Sequence, residues 1–317
     1  MPSWRDCEQL VWELTCTPAK PGYIGGMRRC LIIVGAALLC MGGLWAQGLK
    51  IRMLTEHLEF LPNESLMVGV SIENFSGTPV ILGQHREWIR FLIQDVKGRP
   101  VVKDKDPPPG EIFIVNSATT TIRWIDLAPY FNVRKLGAYS ITAQINVRQW
   151  KQDIQADPCR IQVVGGQVLA SRKFGVPDPL RRNAPPEIRA FKLLRKRANG
   201  RLVLYLRVAE ENDYAVYSVD RLGPMVQLSP PEYQLDSEGN IHVFFRSGAR
   251  TYLYCVANVD GALQKRQTHE THLKKRPAMR MDNKGVIKIK GGRRLFARTD
   301  FPSIPEPPRR RLPSLRD

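Results

Sequence analysis

Cysteine is scarce in this 317-residue chain, acids are outnumbered by bases, and a long apolar run occurs once. Of six cysteines, Cys7, Cys16, Cys30 and Cys40 lie in the first 46 residues, leaving Cys159 and Cys255 for everything that follows. That is too few for a disulfide scaffold, so the fold must rest on an apolar core. The two remaining thiols fall in different halves and are expected to be separately buried rather than paired.

Recognisable catalytic motifs are lacking too. No serine sits in a G-x-S-x-G elbow, and no glycine-rich loop opens a helix to cradle phosphate. The nearest approach to a metal motif is His269-Glu270-Thr271-His272, but its histidines are three apart, and a zinc-protease helix needs four to bring both onto one face. His57, His85 and His242 stand alone, and His242, within NIHVFF, reads as an outward-facing strand residue. The adjacent pair Glu210-Glu211 would point to opposite faces of a strand and so cannot converge as a glycosidase pair does. No catalytic residue, cofactor or metal site is expected, and the chain reads as a protein that is not an enzyme.

What is present begins with MRRCLIIVGAALLCMGGLWAQG at residues 27–48. Arg28 and Arg29 are followed by an apolar run and then by small residues, the order of a secretory signal peptide over 27–46 with cleavage after Ala46. From Cys30 to Ala46 the run has 17 residues, short of the roughly 20 that a spanning helix needs. An uncleaved anchor with the arginines on the cytoplasmic side is the alternative, and it would be the only membrane attachment. Residues 1–26 carry Asp6, Glu8 and Glu13, which oppose leader orientation, so translation is expected to start at Met27. The reading is a periplasmic or secreted protein, and export argues against a specific nucleic-acid partner.

The net charge of +18 is uneven. Bases and acids number 14 and 12 over 47–165, 14 and 10 over 166–263, and 16 and 5 over 264–317. A basic C-terminal part, including Arg309, Arg310 and Arg311, suits an anionic envelope polymer or another envelope protein as partner.

Beyond the leader, the apolar period is two. In AYSITAQINV, Tyr139, Ile141, Ala143, Ile145 and Val147 share one face, and LMVGVSIEN repeats the pattern. Seven to nine short strands separated by turns predict an antiparallel β-sandwich over 47–164. Gly137 and Tyr139 open the clearest strand, just after Asp126-Leu127 and Tyr130. This arrangement resembles the corner of immunoglobulin-like and fibronectin-type sandwich domains of exported bacterial proteins. The resemblance implies that Gly137 lets the chain turn and that the Tyr139 hydroxyl bonds to upstream backbone. Both are then structural residues.

Gly165-Gly166 and Pro177, Pro179, Pro185 and Pro186 predict a linker over 165–187. A second mainly β module follows over 188–295, in which a polar turn ending in glycine recurs at Gly200, Gly239, Gly261 and Gly285, each before alternating apolar residues. The spacing predicts small antiparallel hairpins like those of a propeller blade. Asp236, Asp260 and Asp282 precede three of these glycines and read as turn-forming residues. Tyr252 and Tyr254 share a strand face and are candidates for an open aromatic binding platform. Residues 296–317, rich in proline and arginine, are expected to be a disordered basic tail.

The rival expectation is a hydrolase with a site assembled from distant residues, or a protease inhibitor presenting the stiff loop Pro107–Gly110. Asn63-Glu64-Ser65 and Asn74-Phe75-Ser76 are glycosylation acceptors only in a eukaryotic host.

Overall fold

The computed structural model describes residues 48–108, 110–177 and 185–302. The leader, residues 1–26 and Arg309 to Arg311 lie outside the described residues. Among the described residues no helix is long and apolar enough to cross a membrane.

The first module is built from β1 (Leu49–Thr55), β2 (Glu59–Phe60), β3 (Met67–Asn74), β4 (Val80–Leu82), β5 (Ile89–Asp95), β6 (Phe113–Val115), β7 (Thr120–Asp126), β8 (Gly137–Val147), β9 (Gln152–Gln155) and β10 (Cys159–Val163). One sheet runs β1-β3-β7, a second β2-β10-β8-β5 with β9 beside β8, and a short pair β4-β6 adds Val80, Leu82, Phe113 and Val115 to the same core. Every pairing is antiparallel except β2 with β10. The alternation read in β8 is the cause of the packing: Tyr139, Ile141, Ala143, Ile145 and Val147 are all buried and meet Val68, Val70 and Ile72 of β3 across the sandwich.

Gly137 adopts φ +147°, a conformation that disfavours side chains, and the Tyr139 hydroxyl donates to the Lys135 carbonyl at 2.7 Å. The glycine turns the chain and the phenol ties the start of β8 to the preceding loop. Asp126 does related work at the end of β7, accepting from the Leu66 and Ala128 amides at 2.8 and 3.0 Å. Asn74 is fully buried and donates to the Thr78 and Val115 carbonyls, both at 2.8 Å, so its amide is structural and closed to glycosylation.

The second module contains β11 (Gln167–Val176), β12 (Glu187–Ala198), β13 (Arg201–Glu210), β14 (Val216–Met225), β15 (Glu232–Leu235), β16 (Ile241–Arg246), β17 (Thr251–Ala257), β18 (Leu263–Glu270), β19 (Ala278–Met281), β20 (Ile287–Lys290) and β21 (Arg293–Leu295). Its hairpins do not radiate like blades. They close into two meanders, β11-β12-β13-β14 and β15-β16-β17-β18-β21, which face each other across one core. That core joins Phe191, Leu193, Leu204, Leu206 and Val208 to Ile241, Val243, Phe245, Leu253 and Cys255. Burying side chains of this size stabilises by about 1.5–3 kcal/mol each before the entropy of ordering is counted. The recurrent glycines sit in the hairpin turns with φ between +75° and +88°.

Two boundaries differ from the sequence reading. The expected linker over 165–187 is, through Val176, the edge strand β11, paired with β12 and sending Phe174 into the core. A bulge between Val168 and Ala170 shifts the strand's facing, which breaks the period-two signal that would have revealed it. Of the tail expected over 296–317, the described residues are tied to the module: Phe301 exchanges backbone hydrogen bonds with Arg266, and Asp300 is buried, accepting from the Thr268 amide and hydroxyl at 3.1 and 2.9 Å.

The two modules meet along the other face of β12, β13 and β14. There Leu61 packs with Leu194, Ala198, Val203, Tyr205 and Val219. Cys159 and Cys255 are both free thiols in separate cores, and burial pushes the Cys255 thiol up to about 12.

Candidate functional site

Tyr252 and Tyr254 do not lie on an open face. They are 7% and 5% exposed, roofed by the β19–β20 hairpin through Met279 and Ile287, and Phe244 stacks on Tyr252 with centroids 5.3 Å apart. The reason is that the sheet carrying β16 and β17 is covered twice, by the β11–β14 meander on one side and by this hairpin on the other. His242, expected outward, is buried by the same roof.

Under the hairpin tip is a cleft of about 330 Å³ lined by Asp236, Glu238, His242, Tyr254, Lys265 and Val286, among others. His242 links its floor: Nδ1 is 2.6 Å from the Tyr254 hydroxyl and Nε2 is 3.0 Å from Asp236 Oδ2. With Nε2 protonated, His242 donates to Asp236 and accepts from Tyr254. Burial raises the Asp236 carboxyl, but hydrogen bonds from Asn240, His242 and the Asn240 and Glu238 amides outweigh it and hold it below the ordinary value. Burial pushes the Tyr254 phenol up to about 12, with the Asp236 charge adding to the effect.

The outer side of the hairpin is cationic. Arg280 pairs with Lys288 and Ala278 with Lys290 on the face turned away from Met279 and Ile289. With Lys274, Lys275, Arg276 and Lys284, seven exposed cations occupy residues 272–290 against the single acid Asp282, which lies 3.6 Å from Lys288.

The remaining sequence candidates are dispersed. His269 points inward beside Tyr254, Glu270 is bound by Arg293, and His272 closes a tight turn with Lys275. Glu211 pairs with Lys173 while Glu210 begins the turn to β14. Asp236 and Asp282 each accept two amides of their own turns, at 2.8 to 3.0 Å. Asp260 departs from that reading: Asn258 caps its turn, and the Asp260 carboxylate accepts from Arg189. Pro107, Pro108 and Gly110 lie at the surface, with Gly110 at φ +73°.

Two charged clusters escaped the sequence reading. Arg189 holds Glu187, Asp260 and the Val259 carbonyl and stacks 4.0 Å from the Tyr217 ring, fastening β12 to the β17–β18 turn. Lys196, flanked in sequence by Arg195 and Arg197, has a side chain only 3% exposed, placed between the modules against Glu64. The only local signal was its parity: Arg195 and Arg197 share the opposite strand face.

His269 gives a pH test. Burial, then the Arg294 charge, pulls its imidazole down to about 4 against the opposing pull of Asp300. Its Nε2 is buried with no hydrogen-bond partner among the described residues. Because the folded value lies below the unfolded value of about 6.5, its contribution is intact above that value. It declines as pH falls toward about 4, where the histidine protonates in both states. In urea titrations, His269→Gln should flatten the stability loss between pH 6.5 and 4 relative to the native protein. Parallel curves across that window would remove His269 from the acid response.

No family model matches the chain, and no curated protein matches it. Among solved structures, the sporulation control protein Spo0M from Bacillus subtilis is similar over 51% of this chain and 79% of its own, with 10% sequence identity and a TM-score of 0.25.

Proposed function

We propose that the protein is exported by the leader over 27–46 and works by binding rather than catalysis, its cationic β19–β20 hairpin engaging an anionic polymer of the cell envelope. The observation that carries this is the charge imbalance over residues 272–290, seven exposed cations to one acid, with four of the cations on the hairpin itself, whose apolar side is anchored to the sheet. Anchoring keeps the cations together without the entropy of gathering them at each encounter. A polyanion then meets a preformed positive field. Arg309 to Arg311 add three further positive charges to the C-terminal part of the chain. The first module is read as an immunoglobulin-like sandwich acting as a spacer, a reading supported by the Gly137 turn and the bond from Tyr139 to Lys135.

The hydrolase reading has one observation in its favour. Asp236, His242 and Tyr254 follow the order of acid, base and hydroxyl that activates a nucleophile. The environment runs against it, because an activated nucleophile needs a lowered pKa and access, whereas Tyr254 is nearly buried and its phenol is raised to about 12.

The test is retention on immobilised heparin, a sulfated glycan standing for the polymer. The triple charge reversal Arg280→Glu, Lys288→Glu, Lys290→Glu should weaken binding at low salt by about tenfold or more. The native affinity should itself fall as salt rises and the screening length shortens. Salt-independent retention, or a triple variant that binds like the native protein, overturns the hairpin's role. A secreted product whose N-terminus is not Gln47 overturns the cleaved leader.

A further inference from the structure

The second sandwich is not closed at both ends. Where β11 and β15 approach each other at one end of its core, a recess of about 440 Å³ opens, within the size range of small-molecule sites. Its walls are Leu169, Ala170, Met225, Leu228, Pro231 and Tyr233, and Leu169, Ala170 and Tyr233 pack against the main core. The bulge in β11 falls on Leu169, the one residue left out of register between Val168 and Ala170. Such an extra residue locally disrupts the ladder and bends an edge strand, and it does so at the wall of the recess.

One cation stands in this apolar setting. Arg195 lies two residues beyond Leu193 and four beyond Phe191 on β12, so it occupies the same inward strand face as those core residues. It lines the recess, half-buried, where the next apolar layer of the core would otherwise sit. Its Nε donates to Gln167 Oε1 at 2.7 Å, which fixes the plane of the guanidinium. Its two terminal nitrogens have no partner among the described residues. A fixed guanidinium with its fork unengaged matches a carboxylate in bidentate geometry.

We infer that this recess is a binding site for a carboxylate-headed acyl chain, the head on Arg195 and the tail along Leu169, Met225 and Tyr233. The Gln227–Pro231 segment forms the outer lip, with two prolines limiting the freedom that binding must remove. Leu228, largely exposed, is placed to fold over the tail. This site is independent of the cationic hairpin, which draws on long-range charge instead of an apolar recess.

Titration calorimetry of the native protein with decanoate, dodecanoate and dodecanol is the test. Dodecanoate should bind more tightly than decanoate by about tenfold, the difference of two buried methylenes, and more tightly than dodecanol. Arg195→Leu keeps the apolar stem and removes the charge. It should bring dodecanoate down to the level of dodecanol while leaving dodecanol unchanged. Ala170→Trp and, on the exposed lip, Ser229→Trp fill the recess from opposite sides, and either should abolish binding of all three. The Ser229 variant guards against misfolding of the Ala170 one. No binding by the native protein overturns the site. Chain-length independence, or dodecanoate binding that survives Arg195→Leu or Ser229→Trp, overturns the assignment of tail and head.

Discussion

Replacing Glu64 with leucine lowers the folding stability by about 3–5 kcal/mol, the range for breaking a buried pair by removing one partner. Glu64 and Lys196 are 5% and 3% exposed at the side chain, with Lys196 Nζ 3.7 Å from Glu64 Oε2 and 2.5 Å from the Glu59 carbonyl. Glu64 Oε2 also accepts from the Leu61 amide at 2.7 Å, and His57 Nε2 lies 3.3 Å from Oε1. Leucine would therefore strand an ammonium among Leu61, Leu194 and Tyr205 and leave a buried amide unpaired. Burial already lowers the lysine's pKa, and Glu64 and Glu59 are the groups that counter it. Without Glu64 the folded value drops further below the unfolded one of about 10.4. A depressed lysine destabilises below its folded pKa, so the deficit of the variant should shrink as pH rises toward 10. Adding Lys196→Met should recover most of the loss, since an apolar pair of similar volume often matches a buried ion pair, leaving mainly the Leu61 amide. Urea melts of the native, single and double variants at pH 7 and 9.5 measure all of this. A single-variant loss under about 1 kcal/mol, or no recovery with methionine, would show the pair to be hydrated and peripheral.

This junction marks where legibility ended. β8 was readable because one of its faces meets the core and the other meets solvent, so Tyr139 to Val147 alternate in sequence as they do in space. Strand β16 was readable as a strand but not in its facing. Ile241, His242, Val243, Phe244 and Phe245 are all buried because both of its faces are covered, and a polar histidine among them looks like a solvent position until the roof is known. Lys196 and Glu64 are 132 positions apart in the chain. Nothing local distinguishes Lys196 from its exposed neighbour Arg197 except which side of β12 it leaves. Edge strand β11 was hidden by its bulge, and with it the recess beside Arg195. The turns were legible as turns, because positive φ demands glycine wherever it occurs, yet sequence gives all four recurrent glycines the same weight.

The structure ranks them. Gly261→Ala should cost about 2–5 kcal/mol, while Gly285→Ala costs only the roughly 1–2 kcal/mol of placing a side chain in a left-handed conformation. Both glycines share that conformation, at φ +88° and +79°. A Cβ at Gly285 meets nothing within 4 Å, but one at Gly261 would lie 2.1 Å from Ser218 Oγ and 2.7 Å from Val208 Cγ2. Val208 is fully buried in the core of the second sandwich and has no free volume to retreat into. Ser218 can rotate, though its hydroxyl is itself buried without a hydrogen-bond partner among the described residues. The turn carrying Gly261 is also held in place by Arg189 through Asp260 and Val259, so it cannot swing outward without breaking that clamp. Relief should come from the serine side: Ser218→Gly combined with Gly261→Ala removes the closest clash and should return about 1 kcal/mol or more, with the valine contact remaining. Denaturant midpoints for Gly261→Ala, Gly285→Ala and the double variant decide the matter. Equal losses at the two glycines would mean that the β17–β18 turn stands clear of the β13–β14 hairpin, and the tight face-to-face closure of the second sandwich at that corner would have to be abandoned.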